Sequence, residues 1–222
     1  MSIWSDAIGI ITAAFSGDSW TISKAVKTEG AWIIGVLATV VGGYIVMRIY
    51  QAVPWIERHL ERSIMVYSYL LIAAIIFVEV FRRFVLSQQA PWSTTFPPVL
   101  FLVMTWFGCS YNIRLRTHLA FSEFRTSMPR KMQMFCLTLD AVLWIGFCVI
   151  VVVTATRVAA NSASNFQILA GTDNFMQWWY LVTVPVAFIL MAGRVLENWT
   201  EDLGNYRSGE LLIGQSVIGG DV

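Results

Sequence analysis

Residues 84–113, FVLSQQAPWSTTFPPVLFLVMTWFGCSYNI, run for thirty positions without one Asp, Glu, Lys or Arg. Residues 174–193, NFMQWWYLVTVPVAFILMAG, do the same for twenty. An uncharged apolar run of about 20 residues matches the length of a helix crossing about 30 Å of hydrocarbon. Working outward from these two, three more segments pass the same test, so the spans are expected near residues 31–50, 63–82, 96–113, 132–156 and 176–195. Backbone polar groups in lipid must be satisfied internally, and nothing alternates as a barrel strand does, so the fold expected is an all-α integral membrane protein: a small bundle of about five transmembrane helices with interfacial amphipathic helices. The composition agrees, because 57% hydrophobic residues against 13% charged ones is more apolar surface than one soluble core accommodates.

Charge then sets sidedness. The connectors divide the basic residues into Lys24, Lys27, Arg82, Arg83 and Arg157 on one face, and Arg48, Arg58, Arg62, Arg114, Arg116, Arg125, Arg130, Lys131, Arg194 and Arg207 on the other. Lys and Arg accumulate on the cytoplasmic side, so the N-terminus is expected outside and the C-terminus inside. No Lys or Arg precedes Lys24, so the basic start of a secretory signal is missing and the N-terminal stretch is expected to be retained. With a net charge of +1, nothing points to nucleic acid.

The chain then reads as an N-terminal interfacial segment (1–30), a span (31–50), a four-span bundle (51–203) and a mobile cytoplasmic tail (204–222). In the first segment Ile3, Trp4, Ala7, Ile8, Ile11 and Phe15 share a stripe. Pro54–Arg62 reads as a short helix lying on the inner surface, with Ile56 and Leu60 on one face and Glu57, Arg58, Glu61 and Arg62 as polar flanks. Residues 114–131 place Leu115, Leu119, Phe124 and Met128 at helical spacing amid basic residues, which suits a helix on the membrane surface or a connector whose charges only set topology.

Candidate functional residues are few. There is no G-x-x-x-x-G-K-[ST] phosphate cradle, since Gly17 to Lys24 lacks the second glycine, and no G-x-S-x-G or H-E-x-x-H. Cys109, Cys136 and Cys148 have neither disulfide nor zinc spacing and read as buried small apolar residues, so no enzyme activity and no cofactor or metal are expected. A haem-bearing anchor of a respiratory enzyme is the alternative of another class, but the two histidines, His59 and His118, lie in charged connectors, where axial ligands do not belong. Two carboxylates fall inside spans. Glu79 has Arg82 and Arg83 at the i+3 and i+4 positions for a local ion pair. Asp140 lies about 13 Å past Lys131 with no basic neighbour in its own span, so it needs a partner within the bundle or across a subunit interface. Ala31, Gly35, Ala38 and Gly42 form a small-residue stripe, either a helix-packing face or ordinary membrane glycine.

From Pro54 to Glu210 the sequence resembles the small membrane subunit (DctQ type) of TRAP transporters, the tripartite ATP-independent periplasmic carriers of organic acids. The resemblance rests on an ordered set: Glu57-Arg58 before a span, the ending Glu79-Val80-Phe81-Arg82-Arg83-Phe84, Pro91-Trp92 opening the next, Gly108, the closing Arg114-Leu115-Arg116-Thr117-His118, and Pro185 with Arg194 in the last span. The sequence departs from the family where Ser93, Thr94 and Thr95 follow Trp92 in place of an acidic pair and an arginine, and in residues 31–50, a span added to the family's four. The resemblance implies a three-part importer in a bacterial or archaeal cytoplasmic membrane. A periplasmic substrate-binding protein (DctP type) captures a small organic anion, a large membrane subunit (DctM type) moves it with ion coupling, and this chain supports the large subunit within the lipid. Glu79, Arg83, Trp92, Arg114, Arg116, His118, Asp140 and Arg194 are then the candidate structural or partner-contact residues.

Overall fold

The computed structural model describes residues 3–116, 125 and 127–212. Two short helices, α1 (Ile3–Ser16) and α2 (Ser19–Ala25), precede α3 (Gly30–Ala52), α4 (Pro54–Val85), α5 (Phe96–Arg114), α6 (Arg130–Ser164), α7 (Trp178–Leu181) and α8 (Thr183–Ser208). Counting α7 and α8 as one, five of these elements are long and apolar enough to cross a membrane.

Proline punctuates the bundle. Val53 leaves the helical region (φ −129°, ψ 85°), which a following proline disfavours, and Pro54 opens α4 at a position whose amide has no intrahelical partner anyway. Pro97 and Pro98 do the same in the first turn of α5, and Pro185 in that of α8, so the proline inside the last predicted span starts a helix and does not kink one. Asp18 caps α2, accepting from the amides of Trp20 (3.4 Å) and Thr21 (3.0 Å) and from the Thr21 hydroxyl; these bonds hold its carboxyl below the ordinary aspartate value.

Two boundaries differ from expectation. Pro54–Arg62 is not a separate surface helix: α4 runs unbroken for 32 residues, about 48 Å, because no glycine or proline interrupts it and Glu57 and Glu61, one turn apart, find cationic partners inside the bundle. The tail begins later than Gly204, since α8 continues to Ser208, where Gly209 (φ +89°) closes it in the left-handed conformation. Arg130, opening α6, secures that end by donating to the carbonyls of Asn205 (2.6 Å), Gly209 (2.8 Å), Glu210 (3.0 Å) and Tyr206 (3.2 Å).

Helix α8 lies at the centre. Its Phe188, Met191, Ala192 and Val195 pack with Cys148 and Val152 of α6 and Ile113 of α5. Of the three cysteines only Cys148 is buried; Cys109 is exposed on the bundle's outer wall, an environment that for a span is lipid. The span from Gly30 to Ala52 packs on this bundle. Its buried ridge is Ala31, Gly35, Thr39, Gly43 and Met47, one residue on from Ala38 and Gly42 of the expected stripe. At the crossing a methyl on Gly193 would sit 2.6 Å from Val46 Cγ1 and 3.1 Å from the Gly43 carbonyl, while one on Gly35 would sit 2.1 Å from Val153 Cγ2, so backbones touch as only glycine permits. Helix α4 pairs with α5 and is otherwise the most exposed span.

The two ends of the bundle are chemically distinct. At one, Arg157 donates to the carbonyls of Val26 (2.8 Å) and Thr28 (3.2 Å), and Lys27 to Asn161 (3.4 Å). There too, residues 165–177 fold back through an isolated bridge between Ile168 and Met176, and Gly171 (φ +78°) rests on Pro91, whose carbonyl a methyl would meet at 2.7 Å. The other end holds the charges described next.

Candidate functional site: a buried charge junction

Each of four spans delivers a side chain to one point. Helix α4 supplies Glu57 and Glu61, α8 supplies Arg194 and Glu197 from one turn, α3 supplies Tyr50 near its last turn, and α5 supplies Ser110. Arg194 and Glu61 are the largest buried ions among the described residues, 0% and 1% exposed. Arg194 Nε donates to both Glu61 oxygens at 3.1 Å and Nη2 to Oε2 at 3.0 Å, the fork geometry that distinguishes guanidinium from ammonium. The Tyr50 and Ser110 hydroxyls complete the carboxylate at 3.2 and 2.7 Å. The rest of the guanidinium reaches Glu197 (2.9 Å) and the Glu57 carbonyl (2.7 Å), and its face lies 3.9 Å from the centre of the Tyr50 ring. A buried ion pair is retained only when its remaining donors and acceptors are met, and here they are.

The junction widens toward the surface. Arg114 pairs with Glu57 (3.0 Å) and lies 3.8 Å from Glu201 and 3.9 Å from Glu197. Arg116 pairs with Asp202 (2.6 Å) and Glu201 (3.3 Å) and donates to the Asn198 carbonyl (3.3 Å). Arg116 has φ +54°, a left-handed conformation that costs a non-glycine residue about 1–2 kcal/mol and that these contacts hold in place. Asn198 donates to the Ile113 carbonyl at 2.7 Å, closing the end of α5 onto α8. The arrangement is a network of three arginines and five acids that joins α4, α5 and α8, with the Asn198 Oδ1 buried beside it without a hydrogen-bond partner. Among the described residues no three His, Cys, Asp or Glu side chains converge as a metal site would require.

Of the residues singled out from sequence, Arg114, Arg116 and Arg194 meet here, while His118 lies outside the described residues. Asp140 is held by Arg125 of the preceding connector, Nη1 to Oδ2 at 2.5 Å. The expected pairing of Glu79 with Arg82 and Arg83 does not form within 4 Å. The carboxylate turns instead into the following loop and accepts the Ala90 amide at 3.2 Å, supplying a partner that the non-helical backbone there lacks; Arg83 is exposed. Trp92 stands in the 3₁₀ turn Pro91–Thr94 and begins a run of edge-to-face rings through Phe96, Phe175 and Trp179, with centroids 6.1, 5.2 and 5.1 Å apart. Glu61, Glu57, Tyr50, Ser110, Glu197 and Asp202 were not among the candidates. The available signal was the one-turn spacing of Glu57 and Glu61 facing an arginine at the edge of another span.

Five helices long and apolar enough to cross a membrane, joined at one end by a buried charge network, define a multi-pass helical membrane protein. Residues 72–205, more than half of the chain, match the family described as tripartite ATP-independent periplasmic transporters, DctQ component, and the chain belongs to it. It is similar to the sialic acid TRAP transporter small permease protein SiaQ of Vibrio cholerae serotype O1, at 24% identity over 166 residues that cover 73% of this chain and 94% of that protein. Tyr50, Glu57 and Glu61 precede the matched segment, whereas Ser110, Arg114, Arg194 and Glu197 fall inside it.

Proposed function

We propose that this chain is the fixed, non-catalytic scaffold of a TRAP-type importer of a small organic anion. In this reading it supports a large transport subunit of the DctM type, to which a periplasmic binding protein of the DctP type delivers substrate. The chain sits in a bacterial or archaeal cytoplasmic membrane with its N-terminus outside, and an ion gradient drives uptake. The observation that carries the reading is the Glu61–Arg194 junction, which ties α3, α4, α5 and α8 together through buried hydrogen bonds to one carboxylate. A carrier that alternates its access needs discontinuous helices and converging ligands near mid-membrane. Here the interruptions within the described spans, at Thr95 and Val182, fall at the starts of their spans, and both amides are met, by the Trp92 and Trp178 carbonyls at 3.1 Å each. His59, stacked on Trp55 at the exposed face of α4, gives a haem-anchor reading no support.

The test is reconstitution. Uptake of an organic anion into proteoliposomes is expected to need this chain, the large subunit and the binding protein together, and to run on an imposed sodium or proton gradient without ATP. Full-rate uptake without this chain would refute the scaffold role, and uptake by this chain alone would make it a carrier.

A further inference from the structure

Helix α1 divides its circumference among three environments. At about 100° per residue, Ala7, Ile10 and Ala13 point one way, Ser5, Gly9, Thr12 and Ser16 a second, and Trp4, Ile8, Ile11 and Phe15 a third, the three centres lying roughly 100–130° apart. The first set is buried: Ile10 packs with Val26, Ala31 and Val153. The second lines a groove of about 270 Å³ shared with α2. The third faces away from the protein, with exposures of 69%, 63%, 48% and 88% for Trp4, Ile8, Ile11 and Phe15.

The position of α1 along the bundle is fixed by backbone contact. A methyl on Gly30, the first residue of α3, would lie 2.5 Å from the Ala7 amide nitrogen, so α1 crosses where a span begins. The same level carries Arg157, about 25 Å along α6 from Asp140, close to the hydrocarbon thickness. With 14 residues α1 is too short to cross, and it therefore runs in the corner between the bundle wall and the membrane surface.

We infer that α1 is a membrane-surface anchor whose third face is buried in the acyl region of the adjacent leaflet. The occupant is hydrocarbon and not a charged headgroup, because Lys24, Lys27, Arg82, Arg83 and Arg157 at this end are matched in number by Asp6, Asp18, Glu29, Glu79 and Asp173, and Lys24 and Arg157 are engaged with the rings of Trp20 and Trp32. The inference concerns the lipid contact alone and does not depend on the transport reading.

The test uses the full chain in phosphatidylcholine nanodiscs, with Cys109→Ser and Cys136→Ser and the buried Cys148 retained, and a nitroxide placed singly at positions 4 to 16. Collisions with oxygen are expected to peak at 4, 8, 11 and 15 and those with a water-soluble nickel chelate at 5, 9, 12 and 16, with neither at 7, 10 and 13. The ratio is expected to swing several-fold between the first two sets, equally in discs containing phosphatidylglycerol and at high salt. Labels at 4, 8, 11 and 15 that meet nickel as readily as those at 12 and 16 would overturn the inference. So would labels there shielded from both reagents, which would mean protein covers the face. If single cysteines at 7, 10 or 13 prevent folding, the contrast between the other two sets decides alone.

Discussion

Replacing Glu61 tests whether the bundle is held by its buried junction. The carboxylate receives two N–H groups of Arg194 across three contacts of 3.0–3.1 Å, and the hydroxyls of Tyr50 and Ser110. Hydrogen bonds to charged groups contribute about 1.5–3 kcal/mol each, so the Arg194 pair alone sets a scale of about 3–6 kcal/mol. Orphaning one member of a buried ion pair costs about 3–5 kcal/mol, which lands in the same range. Glu61→Leu is therefore expected to lower stability by about 3–5 kcal/mol. Arg194→Met is expected to cost a similar amount, and the double replacement less than the sum, since neither member of the Glu61–Arg194 pair is then left alone and Glu197 keeps Arg114 at 3.9 Å. Reversible unfolding of the purified chain in mixed micelles of increasing SDS fraction, followed by circular dichroism, closes the double-mutant cycle. A coupling of at least about 2 kcal/mol is expected; losses that add to within about 0.5 kcal/mol would show that the two residues do not act as a pair. Ser110→Ala, which removes one hydroxyl donor from the same carboxylate, calibrates the scale at about 1.5–3 kcal/mol.

Three other outcomes follow from particular contacts. Gly193→Ala places a methyl 2.6 Å from Val46 Cγ1 and is expected to cost about 1–3 kcal/mol in the same assay, whereas Gly146→Ala, with nothing within 4 Å, is expected to be neutral or stabilising; equal effects would deny the close crossing. Asp140→Leu is expected to melt lower than Asp140→Asn, because asparagine still accepts from Arg125 and leucine leaves the guanidinium unpaired, and identical melting for all three proteins would mean the carboxylate is incidental. Reporters at Ser5 and Ser208 are expected to be labelled from opposite sides, Ser5 from outside, and labelling of both from one side would remove a span from the count.

The spans were legible because the absence of charge over twenty residues has one physical meaning, and the five helices start within a few residues of the expected positions except where α4 begins early. The junction was hidden by the same logic. Glu57, Arg58, Glu61 and Arg62 crowd together at a span's edge, and crowded charges read as a wet surface; only packing reveals that Glu61 turns inward to an arginine on the last span while Arg58 stays exposed. The small-residue stripe holds at Ala31 and Gly35, which are buried, and at Gly42, where a methyl would sit 2.9 Å from Ile189 Cγ2, but the ridge continues through Thr39 and Gly43. Ala38 and Gly42 continue the pattern from Gly35 as well as Thr39 and Gly43 do, and a buried threonine hydroxyl is not what composition suggests. Glu79 shows the limit of local rules, since i+3 and i+4 spacing permits an ion pair without requiring it when an unpaired loop amide lies within reach.

Glu61 and Arg194 stand 133 residues apart, and this separation reaches into how the protein is made. At about 5–20 residues per second, a ribosome finishes Arg194 roughly 7–27 s after Glu61. Ser110 arrives 49 residues after Glu61, but the counter-charge, Arg194, waits for α8. During that interval α4 carries an acid that hydrocarbon rejects and that can rest at the headgroups. Helix α8, made after α4, is thus the one that commits α4 to its depth. A nascent chain stalled before Arg194 would present quality-control proteases with an unanchored α4, so synthesis itself times the closing of the bundle.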